Sequence, residues 1–518
     1  MTSTSADFQN VYQALSHSAS RRPDALALAF EEQRYSYRDF HQRVRQTMAQ
    51  LDHVWSLRKG DRILLAWGNH PAFCEVFFAA LGLGIEVIPF STKLKQAESE
   101  ALVSHIAPQA VLYDASLQDW LAQTENTRCV ALSEWLALEL PEALTAFPVS
   151  VNRSDTAVII FTSGTTGEPK GAIITQGNLL CAVDAYTKKL HLSEADSTIL
   201  AVPVYHITGL SALLSLFITL GASIWLQQRF NAPQVLNTLQ EQNITFLHGS
   251  PTVFILLCQA ARERNALQPA SWPSLRTIAC GAGQLNEGLL SELTTLFPNT
   301  AIHPIYGLTE TTSPATIFPV DVRSSEKRGS SGQAIPGLAI RIVDDHQQPL
   351  PCQQIGHIWL KGDVVIREYW QRNERRPACD AQGWFSTGDI GYIDDEGWLY
   401  IKDRSKDMIN RGGEKIYSLE LEDIISTHPG VREVAVIPVS SPVYGEEPVA
   451  FIVPDAHCRL TSEEILTWLR VKVARFKLPA RIVFTRTLPR THNGKVSKRQ
   501  LKTRLAESIT TLATEEKQ

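Results

Sequence analysis

The sequence predicts an α/β protein. It has a large N-terminal α/β domain of several subdomains, a β-rich subdomain near that domain's end, and a small α+β domain at the C-terminus. Three observations carry this reading. Strand and helix patterns alternate from Tyr37 to Cys280, which argues a sheet with helices on its faces. From about Gly332, short strands with turn residues between them replace that alternation. After Asp403–Lys406 a third pattern mixes helices and strands over about 110 residues, a usual domain size.

The elements follow in order. "YRDFHQRVRQTMAQL" has helical spacing, "RILLAWG" is a short apolar strand, "PAFCEVFFAALGLG" is helical, and "EVIPF" and "AVLYD" are strands. The apolar run Ala157–Phe161 is a buried strand. The alternation resumes with "STILAVPV", an apolar helix, "ASIWL", "QVLNTLQEQN", "ITFLHGS", "PTVFILLCQAARER" and "LRTIAC". The β-rich part holds "GLAIRIVDD", "GHIWLKG" and "GWLYIKD". In the last part "SLELEDIISTH" and "SEEILTWLRVKV" read as helices, and "VREVAVIPV" and "EEPVAFIVP" as strands. The expected domains are 1–403 and 404–518. No long linker separates them, so the hinge at 403–406 is short.

Composition narrows the function. The 518 residues are 44% hydrophobic and 20% charged, which is globular and large enough for two or three domains. A formal net charge of −5 gives no sign of a nucleic-acid partner. The eight cysteines are scattered without a C-x-x-C, so neither zinc nor a disulfide framework is expected. "MTSTSADFQN" has no basic region before an apolar stretch, which predicts no signal peptide and a cytoplasmic protein. No charge occurs from Ser197 to Gln228, a length that could span a bilayer. The Gly221-Ala222-Ser223 break and the β-branched ending favour a buried helix, Leu210–Leu220, then a strand, Ala222–Leu226.

The chemistry starts at "IIFTSGTTGEPKGAIIT", Ile159–Thr175. After the strand come Gly164, Gly167 and Gly171, the hydroxyls of Thr162, Ser163, Thr165 and Thr166, and Lys170. Glycines let backbone N–H groups turn toward an anion, and hydroxyls and lysine add donors. The Walker A spacing is not met: Lys170 follows Pro169, and no hydroxyl comes after it to hold magnesium. A plain surface turn has the same composition. No dinucleotide fingerprint, nucleophile elbow or H-E-x-x-H occurs either.

Four further stretches follow in order: "YGLTETT" at Tyr306–Thr312, "STGDIG" at Ser386–Gly391, "KDRSKDMINRGGEKIY" at Lys402–Tyr417 and "LPRTHNGKVSKRQL" at Leu488–Leu501. With the loop in front, the set resembles the adenylate-forming superfamily. That family includes acyl-CoA synthetases, the adenylation domains of peptide synthetases, and firefly luciferase. The resemblance covers nearly the whole chain. It implies that ATP joins a carboxylic acid as an acyl-adenylate, releasing pyrophosphate, and that a thiol then displaces AMP. The implied thiol is CoA, with a carrier-protein phosphopantetheine as the alternative.

The resemblance also implies roles for residues. Thr162, Ser163, Gly164, Thr165, Thr166 and Gly167 wrap the β- and γ-phosphates, and Lys170 adds charge. Glu310 helps bind magnesium, with Thr309 near the α-phosphate; a hard cation with few protein ligands suits this. Read alone, Glu310 is equally a helix N-terminal acid. Asp389 accepts the ribose hydroxyls and Arg404 assists; read alone, Asp389 is a turn residue. Gly281, Ala282, Gly283, Tyr306 and Gly307 flank adenine and the acyl group. Lys495 reaches the α-phosphate and carboxylate oxygens from a tight Asn493-Gly494 turn. Lys406 is the hinge, where other members carry aspartate or lysine. "RGGEK", Arg411, Gly412, Gly413, Glu414 and Lys415, lines the thiol path after the small domain rotates. His206 in "PVYHITGL" matches a histidine at the carboxylate pocket; read alone, it is a core histidine. Members that take α-amino acids usually have an aspartate in this region, and here no Asp or Glu occurs from Ser197 to Gln240. The implied acid is therefore uncharged, fatty or aromatic, because a buried ammonium without a partner is expensive.

Overall fold

The computed structural model describes residues 8–92, 100, 103, 105–114, 127–138, 149–163, 169–264, 272–371, 373–455, 458–491 and 495–515, with the side chains of 163, 169 and 508–515 excepted. By internal contacts the chain divides into two units. The first comprises 1–282, 299–340 and 360–385, and the second 283–298, 341–359 and 386–518.

Two sheets build the first unit. In one, strands Leu26–Phe30, Ser223–Leu226, Ser197–Leu200, Phe246–Gly249, Thr277–Cys280 and Ala301–Tyr306 lie side by side in parallel. Their runs are apolar because helices cover a parallel sheet on both faces. Registers His248↔Ala279 and Cys280↔Pro304 bring the carboxyl ends of the last three strands to one edge. Gly249, Gly281 and Tyr306 therefore gather there, at the edge where open parallel sheets bind ligands. In the other sheet, Glu86–Pro89, Arg62–Ala66, Ala110–Tyr113 and Arg128–Ala131 are parallel. Thr156–Ser163 joins beside Glu86–Pro89 and turns back as an antiparallel hairpin with Pro169–Thr175. The proline that breaks the Walker pattern thus opens a strand.

Local sequence sets the helices. Helix Tyr37–Ala49 begins at a Ser36–Asp39 capping box. Helix Gln176–Leu190 begins where Thr175 and Asn178 bond each other's backbone N–H groups. Helix Pro71–Leu83 is buried all round and stops at Gly84, whose φ of 69° is left-handed. The uncharged segment differs in detail from the expected single helix. It starts earlier, as an α-helical turn at Ile207–Gly209, passes through a π-helical stretch at Leu210–Ser215, and is α-helical again at Leu216–Leu220. Strand Ser223–Leu226 follows. Among the described residues, no helix is long and apolar enough to cross a membrane.

The second unit holds 341–343, 356–359, 386–393 and 399–404 of the four-stranded sheet whose order is Leu338–Val343, Gly356–Gly362, Phe385–Ile393 and Leu399–Arg404. It also holds the long hairpin Val431–Ser441 with Gly445–Pro454, flanked by Ile409–Arg411, Glu414–Ile416 and Arg481–Phe484. Helices Ser418–Ser426 and Ser462–Arg470 close its core through Leu421, Ile425, Ile465 and Leu469. The second helix ends at Arg470, three residues before the periodic pattern does.

Candidate active site

The phosphate-loop candidate falls in sequence between the paired strands Thr156–Ser163 and Pro169–Thr175. Gly164, Thr165, Thr166 and Gly167, with the side chain of Ser163, lie outside the described residues. Near the hairpin's described end Thr162 faces Lys170 across the ladder and its hydroxyl donates to the Lys170 carbonyl at 3.4 Å. The Lys170 ammonium stands 5.7 Å from the centre of the Tyr369 ring.

The Tyr306–Ser313 turn follows the last parallel strand and is built under strain. Thr312 has a φ of 55° and Ser313 one of 102°, both on the side that L side chains avoid. Three contacts hold it. The Thr312 hydroxyl donates to the Val364 carbonyl at 2.9 Å, Ala315 N–H donates to the Tyr306 carbonyl at 2.8 Å, and Ser313 Oγ meets Tyr186 Oη at 2.9 Å. Gly307 is obligatory, because a Cβ there would lie 1.4 Å from the Ser313 carbonyl oxygen. Tyr186 also bonds His248 Nε2 at 3.1 Å. Burial pushes His248 down to about 3, so the ring is neutral at physiological pH. This Tyr186–His248–Ser313 group was not foreseen from the sequence; a polar histidine inside the apolar run "ITFLHG" is the sign it leaves.

The turn places Thr309 and Glu310 in one short 3-10 stretch, Thr309–Thr311. Glu310 is tied at both ends. Its carbonyl accepts from Ile366 N–H at 2.9 Å, and its Oε1 accepts from the Tyr369 hydroxyl at 2.9 Å. Burial, then the Glu310 charge, raises the Tyr369 phenol above its ordinary range. Among the described residues, no three His, Cys, Asp or Glu side chains cluster as a metal cage. The Glu310 carboxylate is the hard oxygen donor that a magnesium ion takes. Glu310 has the capacity, since one carboxylate accepts several bonds and Tyr369 takes one.

At the neighbouring strand end, Gly281 is close-packed. A Cβ there would meet the Ile305 carbonyl oxygen at 3.1 Å and His248 Cε1 at 3.4 Å. Ala282 follows with a left-handed φ of 63°. His206 caps the turn Ile207–Gly209, its Nδ1 accepting from Thr208 N–H at 3.3 Å, and is half-buried. The residues after it, Ile207–Ile218, are buried and carry no charged side chain. The first unit thus brings Lys170 and Glu310 to one tyrosine, and Gly281, Tyr306 and Gly307 to one sheet edge. Gly283 falls in the second unit.

In the second unit Asp389 is not the turn residue it reads as in isolation. It lies inside strand Phe385–Ile393, 2% exposed, opposite Arg404 on the next strand. Arg404 Nε is 3.1 Å from Asp389 Oδ1. A tight turn follows, with Asp407 and Met408 N–H both donating to the Arg404 carbonyl at 2.9 and 3.0 Å, and Lys406 at its tip. Arg411 is held by Glu447 at 2.8 Å, by the Phe476 carbonyl at 2.7 Å and by the Tyr444 ring, 4.5 Å from its centroid. Gly412 and Gly413 both have positive φ, 61° and 95°. Lys495 is exposed at a narrow loop where Thr491 N–H donates to its carbonyl at 2.7 Å and Arg490 bridges Val496. Asn493 and Gly494 lie outside the described residues.

One buried group here was also not foreseen. Asp403 accepts from Ser418 N–H and, at 3.0 Å, from its hydroxyl. Lys498 donates to Ser418 Oγ at 2.6 Å and pairs with Glu422 at 2.7 Å. Burial pushes the Asp403 carboxyl up to about 6, with the Lys498 charge and the Ser418 and Arg404 bonds opposing. Asp403 precedes the turn at Lys406, and its partners follow it.

Known proteins fit this arrangement. A family model described as "AMP-binding enzyme" matches residues 15–370, and one described as "AMP-binding enzyme C-terminal domain" matches 420–495. The chain is 33% identical over 485 residues to a 2-succinylbenzoate–CoA ligase of Bacillus velezensis, covering 93% of this chain and 96% of that one. It is 29% identical over 469 residues to the long-chain-fatty-acid–CoA ligase FadD13 of Mycobacterium tuberculosis, covering 88% and 90%. Among solved structures, o-succinylbenzoate CoA synthetase of Bacillus subtilis with ATP and magnesium superposes with a TM-score of 0.83 at 28% identity, covering 94% of this chain and 99% of that one.

Proposed function

The chain belongs to the AMP-binding enzyme family and is an AMP-forming acid–thiol ligase; from that premise we propose that its acid is uncharged and largely apolar, either aromatic or long-chain. The reaction uses ATP, magnesium and CoA. A carboxylate is a poor electrophile because its charge repels nucleophiles. Its oxygen attacks the α-phosphorus, the bond to the β-phosphate oxygen breaks, and pyrophosphate leaves. The CoA sulfur then attacks the carbonyl carbon, and the bond to AMP breaks. A carrier-protein thiol is not favoured, since the named relatives are CoA ligases.

The roles proposed for residues follow from charge. The Thr162–Gly167 loop and Lys170 hold the phosphates that depart together. Glu310 would hold magnesium, which when bound offsets the phosphates' negative charge. Asp389, paired with Arg404, accepts from ribose hydroxyls. Thr309, Tyr306, Gly307, Gly281, Ala282 and Gly283 flank the nucleotide and acyl group. Lys495 meets charge that develops at the α-phosphate. Lys406 is the hinge between a domain of residues 1–403 and one of 404–518, and Arg411–Lys415 serves the thiol step. Free thiols on all eight cysteines support a reducing cytoplasm as the compartment.

The observation that carries the substrate class is the buried segment after His206. From Ser197 to Gln240 it offers no carboxylate to pair an ammonium, and leaving such a charge unpaired costs several kcal/mol on the order of a buried ion's desolvation. ATP–pyrophosphate exchange across a panel of acids tests this. Exchange is expected with aryl or fatty acids and at background with α-amino acids. A response to α-amino acids alone sinks the proposal.

A further inference from the structure

We propose that Tyr369 is a positioning residue for the metal and triphosphate, setting the Glu310 carboxylate and the Lys170 ammonium from one aromatic ring. The inference rests on the reading of Glu310 as the magnesium ligand. Tyr369 lies on strand Glu368–Gln371, antiparallel to Pro169–Thr175, with Tyr369 opposite Ala172 and Trp370 opposite Gly171. Side chains alternate along a strand. Trp370 takes the core side: it packs on the cluster of Leu64, Ile88, Val111 and Ile159, and its Nε1–H donates to the His105 carbonyl at 2.8 Å. Tyr369 therefore takes the opposite side, where it meets both charged groups.

Each contact has a distinct effect. The hydroxyl bond to Glu310 Oε1, at 2.9 Å, joins a neutral donor to a charged acceptor, a stronger class of hydrogen bond. It fixes the carboxylate's rotation, so that the remaining lone pairs point in one direction. The ring face offers Lys170 a cation–π contact, 5.7 Å from ammonium to centroid. Lys170 and Glu310 belong to segments far apart in sequence, and Tyr369 belongs to a third. One ring thus couples the end of the phosphate hairpin to the metal-side turn. Partners that orient metal ligands typically govern metal affinity by about ten- to a hundredfold.

The test is calorimetric titration of ATP into the full chain at a series of magnesium concentrations, without acid or CoA. Tyr369→Phe keeps the ring and removes the hydroxyl. It is expected to raise the magnesium concentration for half-maximal enhancement of ATP binding by about tenfold or more, while metal-free ATP affinity stays within about twofold. Tyr369→Leu, which also removes the ring, is expected to weaken metal-free ATP binding as well. Glu310→Gln is run alongside and is expected to abolish the magnesium enhancement. If Glu310→Gln shifts the magnesium dependence and Tyr369→Phe leaves it at wild type, Tyr369 does not position the ligand and the proposal is overturned. If Glu310→Gln itself changes nothing, the metal reading fails first, and the proposal fails with it.

Discussion

Replacing Lys495 with alanine is expected to slow acyl-adenylate formation by about a hundred- to a thousandfold, the 3–4 kcal/mol that one charged contact to a developing charge typically supplies. Conversion of a supplied acyl-adenylate to thioester is expected to stay within about threefold of wild type. The physical reason is where charge moves. When the carboxylate attacks phosphorus, negative charge builds on the α-phosphate oxygens, and an ammonium placed there lowers the barrier. In the second step sulfur attacks carbon and AMP leaves, so a lysine dedicated to the first step has little left to stabilise. Lys495 suits such a task. It is exposed on a narrow loop pinned by the Thr491–Lys495 backbone bond and the Arg490–Val496 bridge. Each half-reaction is measured separately, the first by pyrophosphate exchange and the second by thioester formation from synthetic adenylate. Equal loss of both steps in a folded variant contradicts the assignment.

Lys406→Pro is expected to give the opposite split: adenylation near wild type, and thioester formation down by a hundredfold or more, on the order of a lost conformational step. Lys406 is the tip of a turn in which Asp407 and Met408 both donate to the Arg404 carbonyl. Proline fixes its own φ near −65° and pushes the residue before it out of the helical region. A turn so stiffened keeps one backbone setting. The thiol step is proposed to need another, with the segment after Lys406 rotated so that Arg411–Lys415 replaces Lys495 at the reacting atoms. The contacts spanning this turn show what rotation involves. Asp403, before it, is bonded to Ser418 N–H and Oγ, after it, with Lys498 and Glu422 beyond. Rotation about Lys406 has to break or redirect the two Asp403–Ser418 bonds. A Lys406→Pro variant that forms thioester at the wild-type rate removes the hinge from the mechanism.

What the sequence made legible divides by range. Apolar runs bounded by Gly and Pro located the strands at Arg62–Ala66 and Thr277–Cys280, because a buried strand needs continuous apolar residues and a turn at each end. Contiguous motifs gave Glu310, Asp389, Arg404 and Lys495 as candidates, though Asp389 proved to sit in a strand because its partner is Arg404 across the ladder. Motif context could not reveal pairings between distant segments. Tyr369 is 59 residues from Glu310, and its strand "EYWQ" has no pattern that points to a carboxylate. Asp403 reads as a surface charge beside Arg404, and only folding shows Ser418 and Lys498 closing over it. The uncharged segment was legible as buried. Its π-helical stretch was not, since periodicity does not separate π from α turns over six residues.

The most direct test of the acyl-adenylate route follows oxygen. The acid is supplied with both carboxylate oxygens isotopically heavy, together with ATP, magnesium and CoA, and the products are separated and weighed by mass spectrometry. If the carboxylate attacks the α-phosphorus and CoA then attacks the carbonyl carbon, the bridging oxygen must leave with AMP. The account predicts one heavy oxygen in AMP, one retained in the acyl thioester and none in pyrophosphate. Heavy oxygen in inorganic phosphate or pyrophosphate, or ADP in place of AMP, contradicts it.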